Sequence, residues 1–120
     1  MKSVQRIGRS FLAAFYGIVL TWKNEQSFRI QIGVAFALMA LMVVLPLTKP
    51  EIIILTFLIM AVLVLELFNS TLERIIDALQ PRIHPFAREV KDMMAGAVLL
   101  TAVTSIVVAI LIFWSYVFRV

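Results

Sequence analysis

The chain has 120 residues, of which 62% are hydrophobic and 15% are charged, and its formal net charge is +4. Soluble domains average about 45–50% apolar and about 25% charged residues, so this composition indicates one small membrane domain. The chain has no cysteine, which excludes thiol chemistry, and in so apolar a sequence the positive charge favours a cytoplasmic membrane surface over nucleic acid.

Residues 3–26 are predicted to form an amphipathic helix that lies on the membrane surface. Basic side chains such as Arg6 fall on one side, where they would meet anionic headgroups. If the helix continues to Glu25, that carboxylate falls on the apolar side and needs a partner. An ordinary amphipathic core helix is the alternative. The apolar stripe recurs at helical spacing and consists of Val4, Ile7, Phe11, Phe15, Ile18 and Trp22.

Three membrane-spanning helices are predicted, over residues 30–47, 52–72 and 93–118. Each is apolar for most of its length, and about 20 residues suffice to cross the hydrocarbon core. Two prolines between the first and second spans predict a tight turn. Glu51 then falls in the first turn of the second helix, just before the second span, where the helix dipole favours it. A polar connector, residues 80–92, precedes the third span.

The basic residues predict the orientation of the chain in the membrane. Only Lys49 and Arg119 fall on one side, and nine basic residues fall on the other. The positive-inside rule therefore places the N-terminus and the connector in the cytoplasm and the C-terminus outside. The nine are Lys2, Arg6, Arg9, Lys23, Arg29, Arg74, Arg82, Arg88 and Lys91.

The most informative stretch closes the second predicted span. A carboxylate inside a membrane helix costs about 2.5–3.5 kcal/mol, so an acidic group placed there usually has a function. Hydrogen bonding between helices is the alternative, but several acidic groups repel one another unless a cation or a proton lies between them. On a helix the polar residues share one stripe roughly 100° wide. They are Glu66, Asn69, Ser70, Glu73 and Asp77.

Carboxylates and basic residues on one face of the membrane suggest a charged soluble ligand that meets a membrane-bound one. Carboxylates hold Mg²⁺, and Lys and Arg hold phosphate. Phosphoryl transfer needs a metal, cations and a base for the acceptor hydroxyl. The chain has no GxxxxGK[ST] pattern, which excludes a P-loop, and its scattered glycines exclude a kinase glycine-rich loop. One histidine and no cysteine disfavour zinc chemistry, and His84 beside a proline is by itself typical of a surface residue.

Three stretches carry a resemblance to a known family. The stretch from Glu66 to Asp77 is similar to the pattern E-x-x-N-[ST]-A-[IL]-E-x-x-x-D. His84-Pro85 followed by residues 91–99 is the second, and Trp22-Lys23-Asn24-Glu25 with Phe28-Arg29 is the third. The chain thereby resembles the small prokaryotic diacylglycerol kinase family, which includes undecaprenol kinases, over nearly its whole length. Thr71, where that family usually has Ala, is a departure that removes no catalytic group.

The resemblance implies an ATP-dependent lipid kinase of a bacterial inner membrane, active with Mg²⁺ in phospholipid or lipid-carrier metabolism. It also implies a homotrimer whose sites form between subunits. Glu66 would be the general base toward the lipid hydroxyl, and Glu25 and Glu73 would bind Mg²⁺. The residues implied at the ATP site are Arg6, Glu25, Glu73, Asp77, Arg82, His84, Lys91 and Asp92. Those implied in support of the site or its substrate are Asn69, Ser70, Trp22 and Ala95.

The identity of the lipid stays open between undecaprenol, diacylglycerol and another lipid alcohol. Gly17-Ile18, residues 28–31 and the stretch from His84-Pro85 through Leu100 look more like the undecaprenol kinase branch, but no pocket chemistry separates two long-chain alcohols. A small cation-coupled transporter is the alternative function, although such proteins usually have four spans and one isolated carboxylate near the midplane. A non-enzymatic assembly subunit would leave the acidic stripe unexplained.

Overall fold

The computed structural model describes residues 2–79 and 85–118, and these form helices joined by short connections, with no strand among them. The predicted all-helical architecture is confirmed, and α2, α3 and α4 are long and apolar enough to cross a membrane. Helix α3 is roughly 46 Å long at 1.5 Å per residue, so it is longer than the hydrocarbon core is thick. The helices are α1 (Lys2–Asn24), α2 (Gln26–Val44), α3 (Lys49–Leu79) and α4 (Pro85–Val117).

A sharp elbow separates α1 from α2. The helix predicted over residues 3–26 stops at Asn24, because Glu25 has an extended backbone with φ −117° and ψ 110°. The Arg29 guanidinium, in the second turn of α2, donates to the carbonyl oxygens of Trp22 at 2.7 Å and Lys23 at 3.1 Å. These carbonyls end a helix and would otherwise lack partners there. The first predicted span therefore starts earlier than residue 30, since α2 begins directly after the elbow.

The turn between α2 and α3 follows from its prolines. Helix α2 ends at Val44, because Pro46 disfavours a helical conformation at Leu45, whose backbone is extended. The Glu51 side chain then caps the start of α3, as the acidic residue of a capping box does. The Glu51 carboxylate accepts hydrogen bonds from the backbone amide and the hydroxyl of Thr48 at 2.9 and 3.0 Å. The prediction that Glu51 lies in the first turn of this helix is confirmed.

Helix α4 begins earlier than the predicted third span. Residues 85–92, which the sequence analysis placed in a polar connector, form the first two turns of α4. Pro85 favours this start, because a proline at the first helical position lacks only an amide that would have no helical partner. The outcome is that Lys91 and Asp92 lie on a helix rather than in a loop.

Helix α3 is the central element of the fold. It packs mainly against α4 and also against α2, while α1 contacts α2 and α3. Six side chains among the described residues are buried, and three of them are apolar, namely Phe28, Ala35 and Leu55. The other three are polar and lie on α1 and α3: Thr21, Glu66 and Ser70. Half of these buried residues are therefore polar, although the chain as a whole is strongly apolar.

Most of the large apolar side chains are exposed, including the stripe of α1, where Phe11 is 72% exposed. Such a surface suits contact with lipid or with other subunits. The placement of α1 on a membrane surface stays a prediction.

Tyr116 is expected to stabilise the end of the bundle that lies far from Glu66. Its hydroxyl donates to the Glu51 carboxylate and so joins the end of α4 to the start of α3. Tyr116→Phe should therefore lower the melting temperature, because the change removes a hydrogen bond to a charged group. Thermal unfolding in detergent micelles measures this change. Tyr16→Phe, the same change on an exposed residue of α1, is the control, and equal melting temperatures for both variants would contradict the role of Tyr116.

Candidate active site

Glu66 is a buried carboxylate in the middle of α3. The residue is only 6% exposed. Its Oε1 accepts a hydrogen bond from the Ser27 hydroxyl of α2 at 2.7 Å. Its Oε2 is buried and has no hydrogen-bond partner within the described part of the chain. A buried polar atom without a partner is costly, so Oε2 is the atom at which a further donor is expected to bind.

Glu25 forms a second bridge of the same kind. Its Oε1 accepts a hydrogen bond at 3.1 Å from the hydroxyl of Ser70, which is 4% exposed and lies one turn after Glu66 on α3. Glu25 thus has the partner that the sequence analysis required for it. These two hydrogen bonds connect the α1–α2 elbow to α3 side by side. We refer to Glu25, Ser27, Glu66 and Ser70 as the elbow site.

The remaining residues of the polar stripe on α3 become more exposed with distance from the elbow site. Helix α3 is unbroken, so Asn69 and Glu73 share its polar face, and both are half-buried. Asp77 lies further along, and its side chain is 66% exposed. Lys91 of α4 places its Nζ 2.7 Å from Asp77 Oδ1 and also interacts electrostatically with Glu73. The stripe therefore runs from a buried acid to an exposed ion pair.

Several predicted site residues are not brought to the elbow site. Arg6 is exposed, and it lies roughly 24 Å along α1 from Trp22 at 1.5 Å per residue. The Trp22 side chain is 43% exposed, and the residue contributes its backbone carbonyl to the bond with Arg29. Asp92 and Ala95 are exposed on α4. The remaining two predicted residues, Arg82 and His84, lie outside the described residues.

Ser27 is a site residue that the sequence analysis missed. The first span was predicted to begin at residue 30, which left Ser27 between two elements with no reason to assign it a contact. Its partner lies 39 positions further along the chain. One signal was available: a hydroxyl two residues after Glu25 lies in the first turn of any helix that begins directly after that glutamate.

An apolar groove begins one turn of α2 beyond Ser27. It has a volume of about 470 Å³ and lies between α2, α3 and α4, where its walls include Ala35, Leu55 and Phe113. Gln31 lines the groove, and its Oε1 is buried with no partner among the described residues. Val62 and Leu63, within one turn of Glu66, also line it. The groove therefore reaches from the neighbourhood of the elbow site into the apolar part of the helices.

The acidic residues suit a cation that arrives with a phosphate group. Among residues 2–79 and 85–118, no group of three or more carboxylates or histidines is close enough to hold a metal ion. Mg²⁺ is commonly bound by one or two carboxylates together with substrate phosphates and water. Glu25 at the elbow and Glu73 on the stripe supply hard oxygen donors of this kind, so the residues present fit Mg²⁺ carried by a phosphate ligand.

The arrangement brings two kinds of surface to one carboxylate. On one side of Glu66 lies a groove suited to an apolar chain, and on the other lies a charged stripe that ends in the exposed Lys91–Asp77 ion pair. An ionised carboxylate with one free oxygen can accept a proton from a hydroxyl held nearby. The site can therefore act on a hydroxyl attached to an apolar molecule, next to a charged soluble one.

Comparison with known proteins identifies relatives of the chain. The prokaryotic diacylglycerol kinase family matches residues 12–113. Undecaprenol kinase of Bacillus subtilis is 34% identical over 112 residues, which cover 93% of this chain and 91% of that protein. Diacylglycerol kinase of Escherichia coli K12 is 30% identical over 102 residues, which cover 83% and 82%. Diacylglycerol kinase of Helicobacter pylori is 34% identical over 114 residues, which cover 91% and 80%.

Proposed function

The chain belongs to the prokaryotic diacylglycerol kinase family and is a lipid kinase, and we propose that it transfers the γ-phosphoryl group of Mg·ATP to the hydroxyl of a membrane lipid alcohol. The observation that carries this proposal is the position of Glu66. Its buried Oε2 has no partner in the described part of the chain, and Glu66 lies within one turn of groove-lining residues and at the start of a charged stripe that ends in the exposed Lys91–Asp77 ion pair. A kinase that transfers a phosphoryl group from a nucleotide to a lipid needs a surface for each substrate, with the base between them.

Glu66 is the general base of the proposed reaction. Its Oε2 accepts the proton of the lipid hydroxyl as the hydroxyl oxygen forms a bond to the γ-phosphorus. The bond between the γ-phosphorus and the β,γ-bridging oxygen breaks at the same time, and ADP leaves with the electron pair. Burial holds the base where water competes poorly for it, and the Ser27 hydrogen bond occupies its other oxygen.

The stripe supplies the charge that a nucleotide requires. The proposed magnesium ligands are Glu25 and Glu73, and when bound the ion neutralises charge on the phosphates. Lys91 carries a cation at the exposed end of the stripe, where it pairs with Asp77 and is available to polyphosphate by exchange of partners. Asn69 lies on the same face and would support the bound nucleotide. Arg6, Arg82, His84 and Asp92 are proposed nucleotide contacts on the family resemblance alone.

The proposed acceptor is a long-chain lipid alcohol, either undecaprenol or diacylglycerol. The apolar groove accommodates a hydrocarbon chain of either kind, and relatives are named for both lipids. We also propose a homotrimer with sites between subunits, in a bacterial inner membrane with the N-terminus and the site in the cytoplasm. The large exposed apolar surface leaves room for both lipid and neighbouring protomers.

The proposal is tested with the purified protein in mixed micelles that contain Mg·ATP and either lipid. The expected product is a lipid phosphate, formed with at least one of the two alcohols and abolished by EDTA. Formation of neither lipid phosphate would contradict the proposal. The transporter alternative predicts a different result, namely cation-driven flux into proteoliposomes without consumption of ATP.

A further inference from the structure

We propose that Ser27 is the positioning residue of Glu66: its hydroxyl holds Oε1 so that Oε2 faces the lipid hydroxyl. The inference rests on the proposed function, because it concerns the base of the lipid kinase reaction. Nothing in the family resemblance assigns a role to this serine.

A hydrogen bond joins the two side chains directly. The Ser27 Oγ lies 2.7 Å from Glu66 Oε1, within the range of hydrogen bonds from a hydroxyl to an ionised carboxylate. The parallel bridge from Ser70 to Glu25 is longer, at 3.1 Å. A hydrogen bond to one oxygen fixes the rotation of the carboxylate plane, and it thereby fixes the direction of the other oxygen. Oε2 is buried and unpartnered in the described part of the chain, so it is the oxygen left to react.

Ser27 contributes little to the packing of α2, so its effect on Glu66 can be distinguished from an effect on the fold. Ser27 is an exposed residue in the first turn of α2, and its neighbour Phe28, which is 2% exposed, provides the apolar packing of that turn. Removal of the Ser27 hydroxyl therefore deletes a contact to Glu66 and little buried area. The first turn of a helix also carries partial positive charge, which favours a carboxylate beside it. Ser27 therefore contributes a hydrogen bond to Glu66 and little to the packing of the fold.

Steady-state kinetics of Ser27→Ala test the inference. The variant is expected to lower kcat about 10- to 100-fold, the range of one hydrogen bond to a charged group. The KM for Mg·ATP should stay within about twofold, because the metal ligands are untouched. Ser27→Thr keeps a hydroxyl and should restore most of the activity. Thr71→Ala is the matched control, since that exposed hydroxyl donates only to the Leu67 carbonyl of its own helix, and it should keep wild-type kinetics.

A double variant shows whether Ser27 acts through Glu66. In the Glu66→Gln background, Ser27→Ala should cause no further loss, because the base it positions is already gone. Additive losses, an unchanged kcat in Ser27→Ala, or a kcat that Ser27→Thr fails to restore would each overturn the inference. Ser27→Cys, with a weaker donor of similar shape, provides a second variant and should lie between alanine and wild type. An active wild type with normal Ser27 variants refutes this inference alone, whereas an inactive wild type refutes the proposed function as well.

Discussion

Glu66→Gln is expected to lower turnover about 100- to 10,000-fold, the range that positioned acid–base catalysis contributes. The amide has nearly the same shape as the carboxylate and can still accept the Ser27 hydrogen bond, but it cannot take a proton from an alcohol. The dissociation constant of Mg·ATP should stay within about twofold, because Glu66 lies deeper than the proposed metal ligands. Titration calorimetry and single-turnover kinetics on the purified variant measure the two quantities.

Glu51→Gln is the control for this result, because it makes the same change on the same helix. Glu51 lies 15 residues from Glu66, or roughly 22 Å along α3 at 1.5 Å per residue. The control should lose stability, since it weakens the hydrogen bonds that Glu51 accepts from Thr48 and Tyr116, and it should keep its turnover. If Glu66→Gln lost nucleotide affinity instead of turnover, Glu66 would be a metal or nucleotide ligand and the base would lie elsewhere.

Glu73→Gln and Glu25→Gln are expected to weaken Mg·ATP binding itself. Each removes an anionic oxygen ligand, and the loss should be at least the roughly 10- to 100-fold typical for an outer-shell partner of a metal. In Glu25→Gln the amide oxygen can still accept the Ser70 hydrogen bond, so the elbow should stay intact. A Mg²⁺ titration of ATP binding measures the effect, and excess Mg²⁺ should recover part of it.

Glu89→Gln provides the matched control for these two variants. Glu89 is an exposed glutamate near the start of α4, so its replacement changes the net charge equally without removing a proposed ligand. It should bind Mg·ATP as the wild type does. Unchanged binding across the Mg²⁺ titration in Glu73→Gln or in Glu25→Gln would remove that residue from the proposed metal site.

The sequence predicted those parts of the fold that depend on local pattern. Apolar runs of about 20 residues specify three helices able to span a membrane, because bilayer thickness sets their length. Periodicity placed Glu66, Ser70 and Asp77 on one face of α3, and the unbroken helix keeps them together. The burial of Glu66 against α2 could not be predicted in this way, because an apolar run determines depth in the membrane and not contacts within the protein.

Contacts between distant residues could not be predicted in this way. The Ser27–Glu66 and Glu25–Ser70 bonds join residues 39 and 45 positions apart, and no pattern in a single sequence specifies such pairs. The elbow at Glu25 was also missed, because helical periodicity continues through it while the Arg29 side chain caps the end of α1. Helix α4 extends to Pro85 because a charged segment can be helical where hydropathy indicates only a connector.

The most direct test of the account follows the phosphorus atom during a single turnover. The purified protein, in excess over ATP, is mixed with lipid alcohol and Mg²⁺, with the label placed in one sample on the γ-phosphate and in another on the α-phosphate. With the wild type, γ-label is expected to pass to the lipid as ADP forms, and α-label should never enter the lipid. Glu66→Gln should bind ATP with either label but transfer no measurable label on the same timescale. Label that stays with ATP in the wild type, or full transfer by Glu66→Gln, would contradict phosphoryl transfer to the lipid with Glu66 as the base.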